Sequence, residues 1–125
     1  VKIERFEDIR AWQEARMLAN LIYSATEAGP FAKDFGLRDQ IRKAAGSVMH
    51  NIAEGFESGS DAEFIRFLKY SRRSASEIQS EAYLALDRKY LANEDFQAIY
   101  DKATSTKKLI NAFIGYLSRS KKIVE

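Results

Sequence analysis

The sequence has no cysteine, so disulfides, thiolate metal sites and a cysteine nucleophile are excluded. A single histidine, His50, rules out any site that needs two imidazoles, and a single proline, Pro30, leaves nearly the whole chain free of helix breakers. No stretch approaches the roughly 18 unbroken apolar residues of a membrane span. The opening Val1-Lys2-Ile3-Glu4-Arg5 also lacks the apolar region of a secretory signal. A cytoplasmic location without membrane association is therefore expected. Position 1 is Val rather than Met, so further residues upstream are expected too.

A strong excess of charge is missing as well. Twenty Lys and Arg against 18 Asp and Glu give +2 over 125 residues, well short of the dense positive charge of an obligate nucleic-acid binder. The balance drifts along the chain, from −1 over 1–36 through 0 over 37–59 and +1 over 60–92 to +2 over 93–125. The positive half is C-terminal. With 46% hydrophobic residues, a chain of this length can bury about two thirds of its unfolded surface in one core, which predicts one compact domain spanning 1–125.

What is present is helical periodicity. Ile9, Trp12, Ala15, Ala19, Ile22 and Tyr23 recur every three or four residues and predict a helix over about 7–28, stapled by Phe6 and closed by Gly29-Pro30. A loop over Phe31 to Gly36 precedes a second stripe of Leu37, Ile41, Ala44, Ala45, Val48, Ile52 and Phe56, a helix over about 37–56. Its small run Ala44-Ala45-Gly46-Ser47 suits close approach by a neighbour, and Gly55 should end or bend it. Ser60-Asp61-Ala62-Glu63 fits a capping box that starts a third helix, about 61–88, along Phe64, Phe67, Leu68, Ser71, Ala75, Ile78, Ala82, Ala85 and Leu86. Asn93 is placed to cap a fourth, about 94–119, before a frayed tail over Lys121 to Glu125. No strand pattern competes. Short connections favour antiparallel neighbours, so the fold class is all-α, an antiparallel up-down-up-down four-helix bundle.

Phe6-Glu7-Asp8-Ile9-Arg10-Ala11-Trp12-Gln13-Glu14-Ala15, Asn51-Ile52-Ala53-Glu54-Gly55-Phe56 and Glu63-Phe64-Ile65-Arg66-Phe67-Leu68 stand in the order found in a known family. With Phe35-Gly36-Leu37, Gln40-Ile41-Arg42-Lys43-Ala44-Ala45, Ser74-Ala75-Ser76-Glu77 and Tyr90-Leu91 between and after them, nearly the whole chain resembles the four-helix-bundle proteins encoded in intervening sequences of bacterial 23S ribosomal RNA genes. That resemblance implies a left-handed bundle assembled as a ring, a homopentamer, related to the accessory proteins of diversity-generating retroelements. Those relatives bind nucleic acid and a reverse transcriptase through a basic surface. Val48-Met49-His50 replaces the family's Ile-Pro-Ser, so no proline kink is specified in the second helix.

A di-metal centre in a helical bundle needs two Glu-x-x-His motifs, and His50 has Ser47 three residues before it, so no metal or cofactor is expected. Glu77 and Glu81 lie one turn apart, but such pairs usually mark a solvated face or a bond to a neighbouring helix. No glycine cluster has phosphate-loop spacing. Asn51 and Glu54 flank the second apolar stripe and are expected to form a polar lock that fixes helix register or caps the turn at Gly55, in preference to binding a ligand.

The best binding feature is a basic stripe of Arg66, Lys69 and Arg73 with Arg72 alongside, joined by Arg38 and Arg42 or by Lys107 and Lys108, a set suited to phosphate contacts. Pairing with Asp61, Glu63 or Glu77 competes with that use. Phe31, Phe35, Ile65, Tyr83, Leu84, Leu109 and Tyr116 fall off the stripes and are expected partly at subunit interfaces. The sequence thus points to a non-enzymatic oligomer offering a surface to RNA, DNA or a partner protein. A protein scaffold without a nucleic-acid role is the alternative.

Overall fold

The computed structural model describes residues 3–124, with side chains described through Arg119. A 3-10 turn at Phe6–Asp8 leads into α1 (Arg10–Thr26), α2 (Gly29–Lys33), α3 (Phe35–Phe56), α4 (Asp61–Asp87) and α5 (Asn93–Val124). The described residues contain no strand.

Four long helices close on one another: α3 packs against α1 and α4, and α5 packs against α4 and α1. Cross-helix pairs step down α3 as they step up α4. Gly55 meets Phe64, Ser71 Oγ donates to the Val48 carbonyl at 2.6 Å, and the Ser47 and Ser74 hydroxyls lie 2.9 Å apart. The core between the helices is Leu18, Ile22, Ile41, Val48, Ile52, Leu68, Ile78, Ile99 and Ile110, all essentially free of solvent contact. Burial of side chains this size, worth about 1.5–3 kcal/mol each, holds the helices together.

The expected boundaries shift where side chains cap the helices. Residues 31–36 are not a loop, because Gly29 adopts φ 72 and Pro30 opens the short α2. Asp34 then starts α3 early, its Oδ1 accepting the Leu37 N–H at 3.2 Å. At α4 only half of the capping box forms. Ser60 Oγ accepts the Glu63 N–H at 3.2 Å, while the Glu63 carboxylate turns to Arg66. Helix α5 begins at Asn93 itself, whose side chain makes no hydrogen bond among the described residues, and its backbone continues to Val124 instead of ending near Arg119. The frayed tail expected at Lys121 to Glu125 falls on side chains outside the described residues. Phe6 packs edge-on against Trp12, ring centroids 5.1 Å apart, as a staple would.

The α4–α5 turn is built around Lys89 at φ 63. Lys89 N–H bonds the Leu86 carbonyl and Tyr90 N–H the Ala85 carbonyl, the two bonds of a Schellman ending with Lys where Gly is usual. Tyr90 then stacks on Phe31 at 5.3 Å and donates its hydroxyl to Asp34 Oδ2 at 3.0 Å. Phe31 is therefore core, not an interface residue. Tyr23, placed on the first stripe, is instead half exposed.

Candidate functional site

The basic residues of α4 and α5 converge on one cleft. Lys69, Arg72 and Arg73 recur at three- and four-residue spacing on α4, so they leave the helix on its outward side. Lys107 projects from the adjoining face of α5. With Ser76 and Asn111 these four cations line a cleft of about 410 Å³ between the two helices.

Their partners there are neutral. Arg72 Nη1 donates to Asn111 Oδ1 at 2.7 Å, and Lys107 Nζ donates to Gln79 Oε1 at 2.7 Å and Ser76 Oγ at 3.2 Å. Gln79 is itself buried, with its amide donating to Thr104 Oγ1 at 2.9 Å and to the Tyr100 carbonyl at 3.2 Å. A buried amide that uses donor and acceptor together fixes the position of the Lys107 ammonium. Among the described residues no carboxylate lies within 4.0 Å of Lys69, Arg72, Arg73 or Lys107. Four like charges around one recess repel one another, and an anion placed among them relieves that repulsion.

The remaining predicted cations are elsewhere or engaged. Arg66 pairs with Glu63 at 2.8 Å, and that hydrogen bond raises its pKa further. Arg42 donates to Thr26 Oγ1 at 2.8 Å and lies on the Tyr23 ring, 4.5 Å from its centroid. Arg38 pairs with Asp39 at 2.8 Å, donates to the Ala32 carbonyl at 3.0 Å and lies over Phe35. Both fasten α3 to the segments before it and do not join the cleft. Lys108 is exposed and does not line it.

Of the two residues expected to form a polar lock, Asn51 is hydrogen-bonded, to Ser47 of its own helix. Its amide donates to the Ser47 carbonyl at 2.8 Å and to Ser47 Oγ at 2.9 Å, which continues the Ser47–Ser74 bridge between α3 and α4. Glu54 is exposed and makes no side-chain hydrogen bond or ion pair among the described residues, because its place on α3 turns it to solvent. Glu77 and Glu81 also depart from expectation. Glu77 is solvated, whereas Glu81 is buried with neither carboxylate oxygen hydrogen-bonded. Burial, and then the charge of Glu77, push the Glu81 pKa up to about 8. Glu81 lines neither the basic cleft nor the larger groove.

That groove, about 800 Å³, sits where the 3-10 turn, the α3–α4 turn and α5 meet, and its walls include Phe56, Phe64, Phe113 and Tyr116. No group of three or more His, Asp or Glu able to hold a metal occurs among the described residues, and no described helix is long and apolar enough to cross a membrane.

Sequence reasoning missed Ser76, Gln79, Asn111 and Tyr70. Ser76 lies three and four residues after Arg73 and Arg72, and Asn111 lies four after Lys107. Helical spacing from the cations would have found both. Tyr70 stands between Arg66 and Arg73 on α4, within 6.0 Å and 5.5 Å of their guanidinium carbons.

Residues 7–112 match the family model described as 23S rRNA-intervening sequence protein. A comparison with curated proteins returned no match. Among solved structures, the fold is similar to the crystal structure of a protein with unknown function from the S23 ribosomal protein family of Bacteroides thetaiotaomicron. The TM-score is 0.77 at 23% identity over 84% of this chain and 95% of that one.

Proposed function

For a chain that belongs to the 23S rRNA-intervening sequence protein family, we propose a non-enzymatic role in which the α4–α5 cleft binds the phosphates of a nucleic acid. One observation carries this reading: Lys69, Arg72, Arg73 and Lys107 share a recess whose other polar groups are neutral. An intramolecular ion pair would spend such charge locally. Neutral amide and hydroxyl partners orient it and leave it available to an incoming phosphate. The modest net charge of +2 is compatible with this role because four cations are gathered in one recess.

The ring assembly implied by the family resemblance would repeat the cleft around one axis and turn a weak contact into a multivalent one. The exposed Met17, Tyr23, Tyr83 and Leu84 supply apolar surface for such contacts. Light scattering is expected to give five copies, and a monomeric mass would remove the ring from this proposal.

Fluorescence anisotropy of labelled RNA and DNA, repeated from low to physiological salt, tests the cleft. Binding should weaken steeply with salt, and Lys69→Glu with Arg73→Glu should weaken it further and reduce the magnitude of the log–log salt slope by about 1.4 on a single strand. Helicity should not change. Binding that ignores both salt and the substitutions would discard the cleft, and no binding even at low salt would favour a protein scaffold.

A further inference from the structure

Building on that phosphate-binding reading, we infer that the cleft takes single-stranded rather than duplex nucleic acid, with Tyr70 as the ring on which an unpaired base stacks. Tyr70 lies on the outward side of α4, 37% exposed, and Arg73 joins it to the cleft. Arg73 lines the recess, and its guanidinium carbon lies 5.5 Å from the Tyr70 centroid. A strand whose phosphate enters the recess therefore brings an adjacent base to the Tyr70 ring. In a duplex the base faces are already stacked on one another and only their edges face the grooves, so an exposed ring gains nothing from it. Base–aromatic stacking beside a cationic groove is the general chemistry of single-strand binding.

The other exposed tyrosines lack this combination. Tyr23 is covered by Arg42, which its bond to Thr26 holds 4.5 Å from the ring centroid. Tyr83 packs against Phe96 at 4.8 Å and Tyr116 against Phe113 at 6.0 Å, and among the described residues neither ring has an arginine over its face. Over Tyr70 the cations sit at 5.5 and 6.0 Å, near the outer limit of a cation–π pair, and Arg66 is drawn toward Glu63. The ring is braced edge-on by Phe67, centroids 6.1 Å apart, so it is oriented without being buried. Guanidinium planes also stack on bases, which lets Arg66 and Arg73 extend the platform along α4.

The test compares oligo-U RNA and oligo-dT single strands with RNA and DNA duplexes of matched length, by anisotropy on the full chain. The wild type should prefer both single strands, since a tyrosine ring does not read the 2′-hydroxyl, and a preference for one of them would identify the natural polymer. Tyr70→Ala should lose about tenfold in single-strand affinity with the salt slope and duplex binding unchanged. Tyr70→Trp should bind single strands at least as tightly as the wild type, and circular dichroism should show all variants equally helical. Equal affinity for duplex and single strand, or a Tyr70→Ala effect that is absent or the same on both, overturns the inference while salt-steep binding keeps the phosphate cleft. A wild type that binds no polymer even at low salt overturns both.

Discussion

At Glu81 a carboxyl group sits on the packed side of α4, with both oxygens out of reach of any hydrogen-bond donor. Leaving the charge there is costly, and the group answers by holding its proton until about pH 8 in the folded chain. An unfolded carboxyl releases it near 4.5. Between these values the unfolded state has given up a proton that the folded state still carries, so raising the pH favours unfolding. Stability from this group is fully present below about pH 4.5 and is lost as the pH rises through about 8. Glu81→Gln should flatten that dependence and stabilise the protein at pH 9 by roughly 1–3 kcal/mol, read from urea unfolding at pH 5 and pH 9. The buried state of Glu81 was not legible in the sequence, because the Glu77–Glu81 spacing is the same whether a residue faces water or a neighbour. Asn51 was legible, since an amide beside an apolar stripe has to find partners.

Among the elements, α3 shows which glycine matters. The sequence drew attention to Gly46 within a small-residue run, yet a Cβ there would touch only its own helix's His50, at 3.5 Å. At Gly55 a Cβ would fall 2.7 Å from Phe64 and 2.9 Å from Phe67. At Gly55 the side chains of α4 therefore press against the backbone of α3, and the glycine permits it. Gly55→Ala should destabilise by about 1–3 kcal/mol through overpacking. Gly46→Ala should stabilise by about 0.5–1 kcal/mol through helix propensity, and thermal unfolding of both variants checks the contrast. Helix existence was legible from the apolar spacing because each long helix buries one stripe. The boundaries were less so. Asp34 caps α3 and binds Tyr90, two contacts that no local pattern around residues 31–36 displays.

For the whole molecule, the cyclic packing of α1, α3, α4 and α5 decides which surfaces are available. Arg38 and Arg42 share the sign of Lys69 and Arg73 but face α1 and α2, where Thr26, Ala32 and the rings of Tyr23 and Phe35 occupy them. Lys107 lies far from α4 in sequence, and only the α4–α5 pairing reveals that it stands beside Ser76. The grouping of the cleft thus belongs to tertiary structure, while its α4 half could be read from spacing alone. The same packing distinguishes the helices: α4 runs 27 residues against α3 and α5, while the shorter α1, 17 residues, closes the ring. Opening need not be uniform around such a ring. In deuterium-exchange mass spectrometry the α1 amides should exchange sooner than those at the centre of α4, with α3, α4 and α5 still protected. Such a result would make the helix that completes the bundle also its removable stave, since the cationic recess is built from α4 and α5 alone.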